Sequence, residues 1–253
     1  MIKRGMRHES RQKTAAGRVR LNEIFTSIEG EGILFGTKTM FVRLAGCPLK
    51  CRWCDTTYAI PMDSGTDYSI DEVKALIARE LQPNTYKVNF TGGEPLVQHE
   101  AVIELAKFVR EKGLRTYLES ACHDSSRFSK VLPFIDICKI EFKMRDSGVV
   151  DKKSYPALLK SELECLKMAV QSGKKPYIKV VVTNSSDLQE FRDLVSKIFT
   201  VANPVDIAGF IIQPSYDTDE PVLDRLLAFY DAVYPSYEHV RIVPQLHKFI
   251  GAR

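Results

Sequence analysis

No run of 18 apolar residues occurs anywhere in the 253-residue chain, which excludes a helix spanning a bilayer. No block of 7 to 15 apolar residues follows the basic start, so a secretory signal is not expected. Linkers rich in Gly or Ser, low-complexity tracts and internal repeats are absent too, and a single domain is the economical reading. Positions 1–20 contain no Leu, Phe, Tyr or Trp, and one acid, Glu9, against seven bases. With so little apolar surface to offset the entropy of ordering, they read as a flexible tail without catalytic role or as a basic presequence. Since the whole chain carries +4, everything after position 20 sums to −2, and a strongly basic body made for nucleic acid is excluded despite the pI near 8.6. The stretch 21–253 is the expected folded domain.

What is present is an alternation of β-rich runs with amphipathic stretches. Strands are predicted at 39–44, 87–90, 115–118, 135–140, 177–182, 209–212 and 239–243, each bounded by Gly, Pro, Asn or Asp. Helical spacing runs through Ile70, Val73, Leu76, Ile77 and Leu81, and again through Leu188, Phe191, Leu194, Val195 and Ile198. Ser69 with Glu72, and Ser186 with Gln189, are spaced as capping boxes. A last helix is expected to bury Val222, Leu226, Tyr230 and Val233, with Asp219 and Glu220 at its positive end. Repeated strand-then-helix units predict an α/β fold of mostly parallel strands with outer helices, doubly wound or curled into a whole or partial (β/α) barrel.

Six cysteines, three of them crowded between positions 47 and 54, do not make an extracellular disulfide framework, and the cytoplasm is the expected compartment. Cys47, Cys51 and Cys54 follow the 39–44 strand as C-x3-C-x2-C. Three thiolates so spaced hold three irons of a 4Fe-4S cluster and leave the fourth without a protein ligand. A structural zinc would want a fourth Cys or His close by; His99, Cys122 and Cys138 would have to fold back to supply it. Cys122, Cys138 and Cys165 read as small buried hydrophobes.

The triplet, with Trp53 directly before Cys54, resembles the radical S-adenosylmethionine (SAM) superfamily, and Thr91-Gly92-Gly93-Glu94-Pro95 resembles the motif that holds the SAM amino group there. The blocks Asn22 to Phe25, Ile28-Glu29-Gly30-Glu31-Gly32, Phe41 to Cys47, Cys54-Asp55-Thr56 and Pro244-Gln245-Leu246-His247-Lys248 resemble the 7-carboxy-7-deazaguanine synthases, from about residue 21 to residue 253. That resemblance implies a partial (β/α) barrel lyase that converts 6-carboxy-5,6,7,8-tetrahydropterin to 7-carboxy-7-deazaguanine with loss of ammonia, in deazapurine biosynthesis of the queuosine or archaeosine type. It implies a 4Fe-4S cluster on Cys47, Cys51 and Cys54, SAM, Mg2+ at Thr56, an external electron donor such as flavodoxin or ferredoxin, and a homodimer. Substrate residues by resemblance are Ile28, Glu29, Gly30, Arg43, Ser120, His247 and the terminal Arg253. For SAM they are Trp53, Cys54, Asp55, Gly92, Gly93, Glu94, Glu119, Cys122, Glu141, Phe142, Lys143, Gln213, Pro214, Ser215 and Tyr216.

Two departures from that family stand out. Glu119-Ser120-Ala121-Cys122 replaces a Glu-Thr-Asn-Gly or Glu-Thr-Ser-Gly pattern, and Glu141-Phe142-Lys143 replaces Ser-Pro-Lys. Rival readings are an activase that takes hydrogen from a glycine of a partner protein, a non-catalytic iron-sulfur or zinc module, and a nucleic-acid binder acting through the basic start. Independently of any family, Cys47, Gly92, Glu119, Glu141, Gln213 and Gln245 each fall at or just past the carboxyl end of a predicted strand, the edge where α/β folds assemble their sites.

Overall fold

The computed structural model describes residues 17–252. Nine strands form one open sheet: β1 (Arg18–Ile28), β2 (Lys38–Leu44), β3 (Thr66–Ser69), β4 (Lys87–Gly92), β5 (Arg115–Ser120), β6 (Ile137–Phe142), β7 (Tyr177–Val182), β8 (Gly209–Pro214) and β9 (Val240–Ile242). Their order is β3-β1-β2-β4-β5-β6-β7-β8-β9. The β3, β1 and β2 ribbon is antiparallel, and every pair from β2 to β9 is parallel. The sheet curls into a partial (β/α) barrel with its helices outside: α1 (Ile70–Glu80), α2 (His99–Glu111), α3 (Ser125–Val131), α4 (Tyr155–Gln171), α5 (Leu188–Val201), α6 (Leu223–Val233) and the short α7 (Leu246–Ile250).

The alternation along the parallel strands explains the curl. Val88 and Phe90, Leu118, Ile140 and Phe142, Ile178 and Val180, and Phe210 and Ile212 face the helices and form one continuous apolar core with them. Their neighbours Lys87, Asn89, Glu119, Lys139, Glu141, Lys179 and Gln213 take the opposite, concave face. A plug of Tyr117, Tyr177 and Ile211, with Ile33 and Ile137 against it, fills part of that concave side.

The helices begin where side chains satisfy their first amides. Ser69 accepts from the Glu72 amide at 3.2 Å while Glu72 accepts from the Ser69 amide at 2.7 Å, and α1 buries Val73 and Ile77. The second expected box is absent: α5 is capped by Asp187, which accepts from the Glu190 amide at 2.7 Å. Ser186 is fully buried and turned inward to Asp146 at 2.6 Å, which leaves the cap to the next carboxylate. In α6 the buried residues are Phe229 and Val233, while Val222 is the exposed residue before the first turn. Asp219 and Glu220 are held in the preceding turn by the Ser185 and Asp217 amides.

The expected tail covers positions 1–20, of which 1–16 lie outside the described residues. Arg18 to Arg20 belong to β1, pair with Ser69 to Asp67 of β3, and place Val19 fully buried in the core.

Candidate active site

The loop after β2 forms one wall of a cavity of about 690 Å³. Its entry is pinned by backbone bonds from Gly46 to Ala59 at 2.8 Å and from Cys47 to Ile60 at 2.9 Å. Cys47, Cys51 and Cys54 line the cavity, half-buried, with Leu49, Val149 and Leu158 packed behind them. Burial pushes the Cys47 thiol up to about 12 and raises that of Cys54. His99, Cys122 and Cys138 do not line this cavity, and Cys122 and Cys138 sit in the apolar core. Three soft donors on one open wall fit the open-cornered iron-sulfur cluster and leave a closed zinc site short of a ligand.

The second wall comes from the end of β4. Gly92 has a φ of 123°, and an added Cβ would overlap the backbone of Leu44 at the end of β2, while a Cβ on Gly93 would overlap the Gly46 and Ala59 carbonyls of the cysteine loop, so the two glycines let β4 close against both. Glu94 follows and is 1% exposed. Its carboxylate accepts from the Leu96 amide (2.9 Å), the Ser120 hydroxyl (2.8 Å) and the Ala121 amide (2.8 Å). A carboxylate fixed this firmly, lining the cavity, suits an ammonium partner.

The floor is ionic. Glu141 receives Lys139 (2.9 Å), Lys179 (3.2 Å) and Lys143, and Lys139 also reaches Glu119 at 3.4 Å. Burial alone would raise the Glu141 carboxyl, but the three lysines hold it well below its usual range; burial opposes the charge on Lys139, and Glu119 and Glu141 raise it. Deeper lies a second pair, Glu29 with Lys87, whose ammonium also contacts Thr39 at 2.9 Å and the Tyr117 ring. Here burial dominates and pushes the Glu29 carboxyl up to about 7, with Lys87 pulling the other way.

The third wall joins distant parts of the chain. Glu31 accepts from Lys179 at 2.6 Å, Gln213 at 3.3 Å and Gln245 at 2.7 Å. Asp55 faces His247 at 3.5 Å and binds the Thr56 hydroxyl at 2.8 Å. Burial would raise the Asp55 carboxyl, but His247, Thr56 and Lys248 together hold it far below the usual carboxylate range. Arg43 lies over the Phe25 ring, pairs with Glu23 at 2.9 Å and donates to Thr56 at 3.1 Å. The Leu246 amide binds the Gly30 carbonyl at 2.9 Å, and the imidazole of His247 occupies the space a Cβ on Gly30 would need.

Of the residues expected at the site, Ile28, Glu29, Gly30, Arg43, Trp53, Asp55, Thr56, Gly92, Gly93, Glu94, Glu119, Ser120, Glu141, Lys143, Gln213 and His247 line this cavity with the three cysteines. Cys122, Phe142, Pro214, Ser215 and Tyr216 do not. Phe142 points into the helix-facing core, as its place between Glu141 and Lys143 requires. Pro214 alternates with Gln213 in the same way, Ser215 bonds the Asp219 carbonyl at 3.4 Å, and Tyr216 packs on Phe249 outside. Cys122 is fully buried with a φ of 54°, a left-handed conformation that glycine adopts without strain, and its carbonyl is bonded by Ser161 at 2.7 Å. Arg253 lies outside the described residues. Sequence reasoning assigned no role to Lys139, Lys179, Lys87 or Glu31. A lone lysine inside the β runs ICKIEF and YIKVVV was the available signal, since a buried strand tolerates one only with a partner.

A family described as a 4Fe-4S single cluster domain matches residues 28–145. The 7-carboxy-7-deazaguanine synthase of Archaeoglobus fulgidus is 30% identical over 242 residues, covering 93% of this chain and 100% of its own. That of Methanocaldococcus jannaschii is 28% identical over 245 residues, covering 91% and 99%. The crystal structure of QueE from Escherichia coli shares the fold with a TM-score of 0.62 at 19% identity, over 91% of this chain and 95% of that one. Methylornithine synthase shares it with a TM-score of 0.53 at 14% identity, over 79% of this chain and 63% of that one.

Proposed function

The chain belongs to the 7-carboxy-7-deazaguanine synthase family, and from that membership we infer the activity and the roles of its residues. It is a radical SAM lyase that converts 6-carboxy-5,6,7,8-tetrahydropterin to 7-carboxy-7-deazaguanine, with a 4Fe-4S cluster and SAM as cofactors. Substrate and product differ by one molecule of ammonia, so the reaction needs no net oxidant. Cys47, Cys51 and Cys54 would hold the cluster and Glu94 the SAM amine, and together cluster and SAM would supply the radical chemistry that the reaction needs. The observation that carries this reading is the convergence of three cysteines, Glu94 and the Glu31-Gln245-Asp55-His247 group on one cavity.

The protein's own contribution is to bind, orient and exclude water. Glu94 receives the SAM amine on a carboxylate already locked by three donors. Arg43 turns its planar fork to the substrate carboxylate, a partner that lysine would hold less well. Glu29 and the Gly30 carbonyl accept from the amide and amino groups of the pterin ring. Thr56 offers a neutral oxygen to Mg2+, a hard cation suited by the carboxylate of Asp55 alongside. The bond between the Leu246 amide and the Gly30 carbonyl ties the C-terminal segment to the residues proposed for the pterin, and a cavity of about 690 Å³ is of a size for small molecules. A protein electron donor, cytoplasmic location and a homodimer complete the proposal.

The test is anaerobic incubation of reconstituted protein with SAM, dithionite, Mg2+ and carboxytetrahydropterin, followed by mass spectrometry. A deazapurine product is expected. SAM cleavage without it would move the assignment to another substrate. In Cys51→Ala both products should vanish together with most of the bound iron.

A further inference from the structure

The cysteine loop has a second face, turned away from the cavity. There the stretch 50–52 runs against 147–149: the Arg52 amide binds the Ser147 carbonyl at 3.0 Å and the Lys50 amide the Val149 carbonyl at 3.5 Å. Behind the cysteines, Val149 and Leu158 place the first turns of α4 one side chain away from Cys47 and Cys51. Outward from that contact lies an apolar groove between α4 and α5, floored by Pro156, Leu159, Leu163 and Val201. Arg145, Lys160, Lys167 and Lys197 rim it, and its one acid, Glu164, is engaged by Ser125 at 2.7 Å and Lys160 at 3.8 Å. Exposed Lys50, Arg52, Lys152 and Lys153 continue the rim to the cysteine loop.

The groove itself is lined by four bases and the one acid Glu164, on a chain that is net acidic beyond position 20, and Asp146, Asp151, Glu190 and Asp193 stand in the neighbouring segments. Asp151 is committed to the Lys153 and Ser154 amides, Asp146 to Thr183 and Ser186, and Glu190 to the Arg145 amide.

Resting on the cluster assignment above, we infer that this face, from the 50–52 and 145–153 stretches to the α4–α5 groove, is the docking surface for a small acidic electron-carrier protein. An electron must enter the cluster from outside, while the cavity side is reserved for SAM and substrate. The outer face reaches Cys47 and Cys51 through Val149 and Leu158. It combines the positive field that steers an acidic partner with an apolar floor to hold it.

The experiment uses the full chain with its cluster and a flavodoxin as probe. In Lys152→Glu/Lys153→Glu/Lys160→Glu, the Kd for oxidised flavodoxin, read by calorimetry without turnover, should rise about tenfold or more, and the salt dependence of binding should flatten. SAM cleavage driven by dithionite should stay at the wild-type rate. Lys112→Glu/Lys175→Glu, at the opposite end of the sheet, should leave flavodoxin binding unchanged. An unchanged Kd in the triple variant would overturn the proposal, as would equal loss in the control pair. Loss of transfer-RNA binding alone would overturn it too, by assigning the patch to a polyanion. Failure of dithionite to drive SAM cleavage in the unaltered protein would instead strike at the radical SAM reading itself.

Discussion

At the scale of single residues, the buried ion pairs under the cavity set what can be changed. Lys87 is fully buried, and Glu29 almost so. Lys87→Met leaves a carboxyl without its cation and should cost about 3–5 kcal/mol in urea denaturation, whereas adding Glu29→Gln should recover much of that loss. The pair also has a pH signature. Glu29 in the folded protein holds its proton up to about 7, above its ordinary value of 4.5. The folded state therefore binds more protons than the unfolded one between these values, and the stability Glu29 contributes falls as pH rises through that window. Denaturation curves from pH 4.5 to 7 should show that slope in the unaltered protein and lose it in Glu29→Gln. Arg43 faces a different demand, since it already holds Glu23 and Thr56 and, in the function proposed above, would hold a substrate carboxylate as well. Arg43→Lys gives up the fork and should raise the KM for carboxytetrahydropterin about tenfold, with the iron content unchanged.

At the scale of elements, helix caps distinguish what spacing reveals from what burial decides. Ser69→Ala and Asp187→Ala should each lower stability by about 1 kcal/mol, because each removes the acceptor for a first-turn amide. Ser186 has the right spacing for a box, yet its hydroxyl is worth more inside against Asp146. The parallel strands were readable because each is a short β-rich run between breakers. β1 and β3 were not: β1 carries polar residues at many positions, its face being half-exposed, and β3 has only four residues. The helices α2 and α4 also escaped the pattern count, although α2 buries Ala101, Val102, Leu105, Ala106 and Val109 with ordinary helical spacing. In the site, motif residues with chemical side chains were legible. The lysines of the ionic floor stood out only as lone charges inside β-rich runs, and the curl of the sheet decides that they share one concave polar side.

At the scale of the whole molecule, the sheet fixes where the chain can be cut. Removing 1–20 takes Val19 out of the core and three of the four rungs that hold β3, so a melting experiment should show a clear loss of stability. The wall that joins Glu31, Asp55 and Gln245 carries a consequence in time as well as space. Asp55 and Gln245 stand 190 residues apart in the chain, and Glu31 and Gln245 stand 214 apart. During synthesis the cysteine loop leaves the ribosome long before the segment that closes the cavity has been made. The cavity wall is therefore complete only when the chain has been made through Gln245, and a chain stopped short of it leaves Glu31 without that donor.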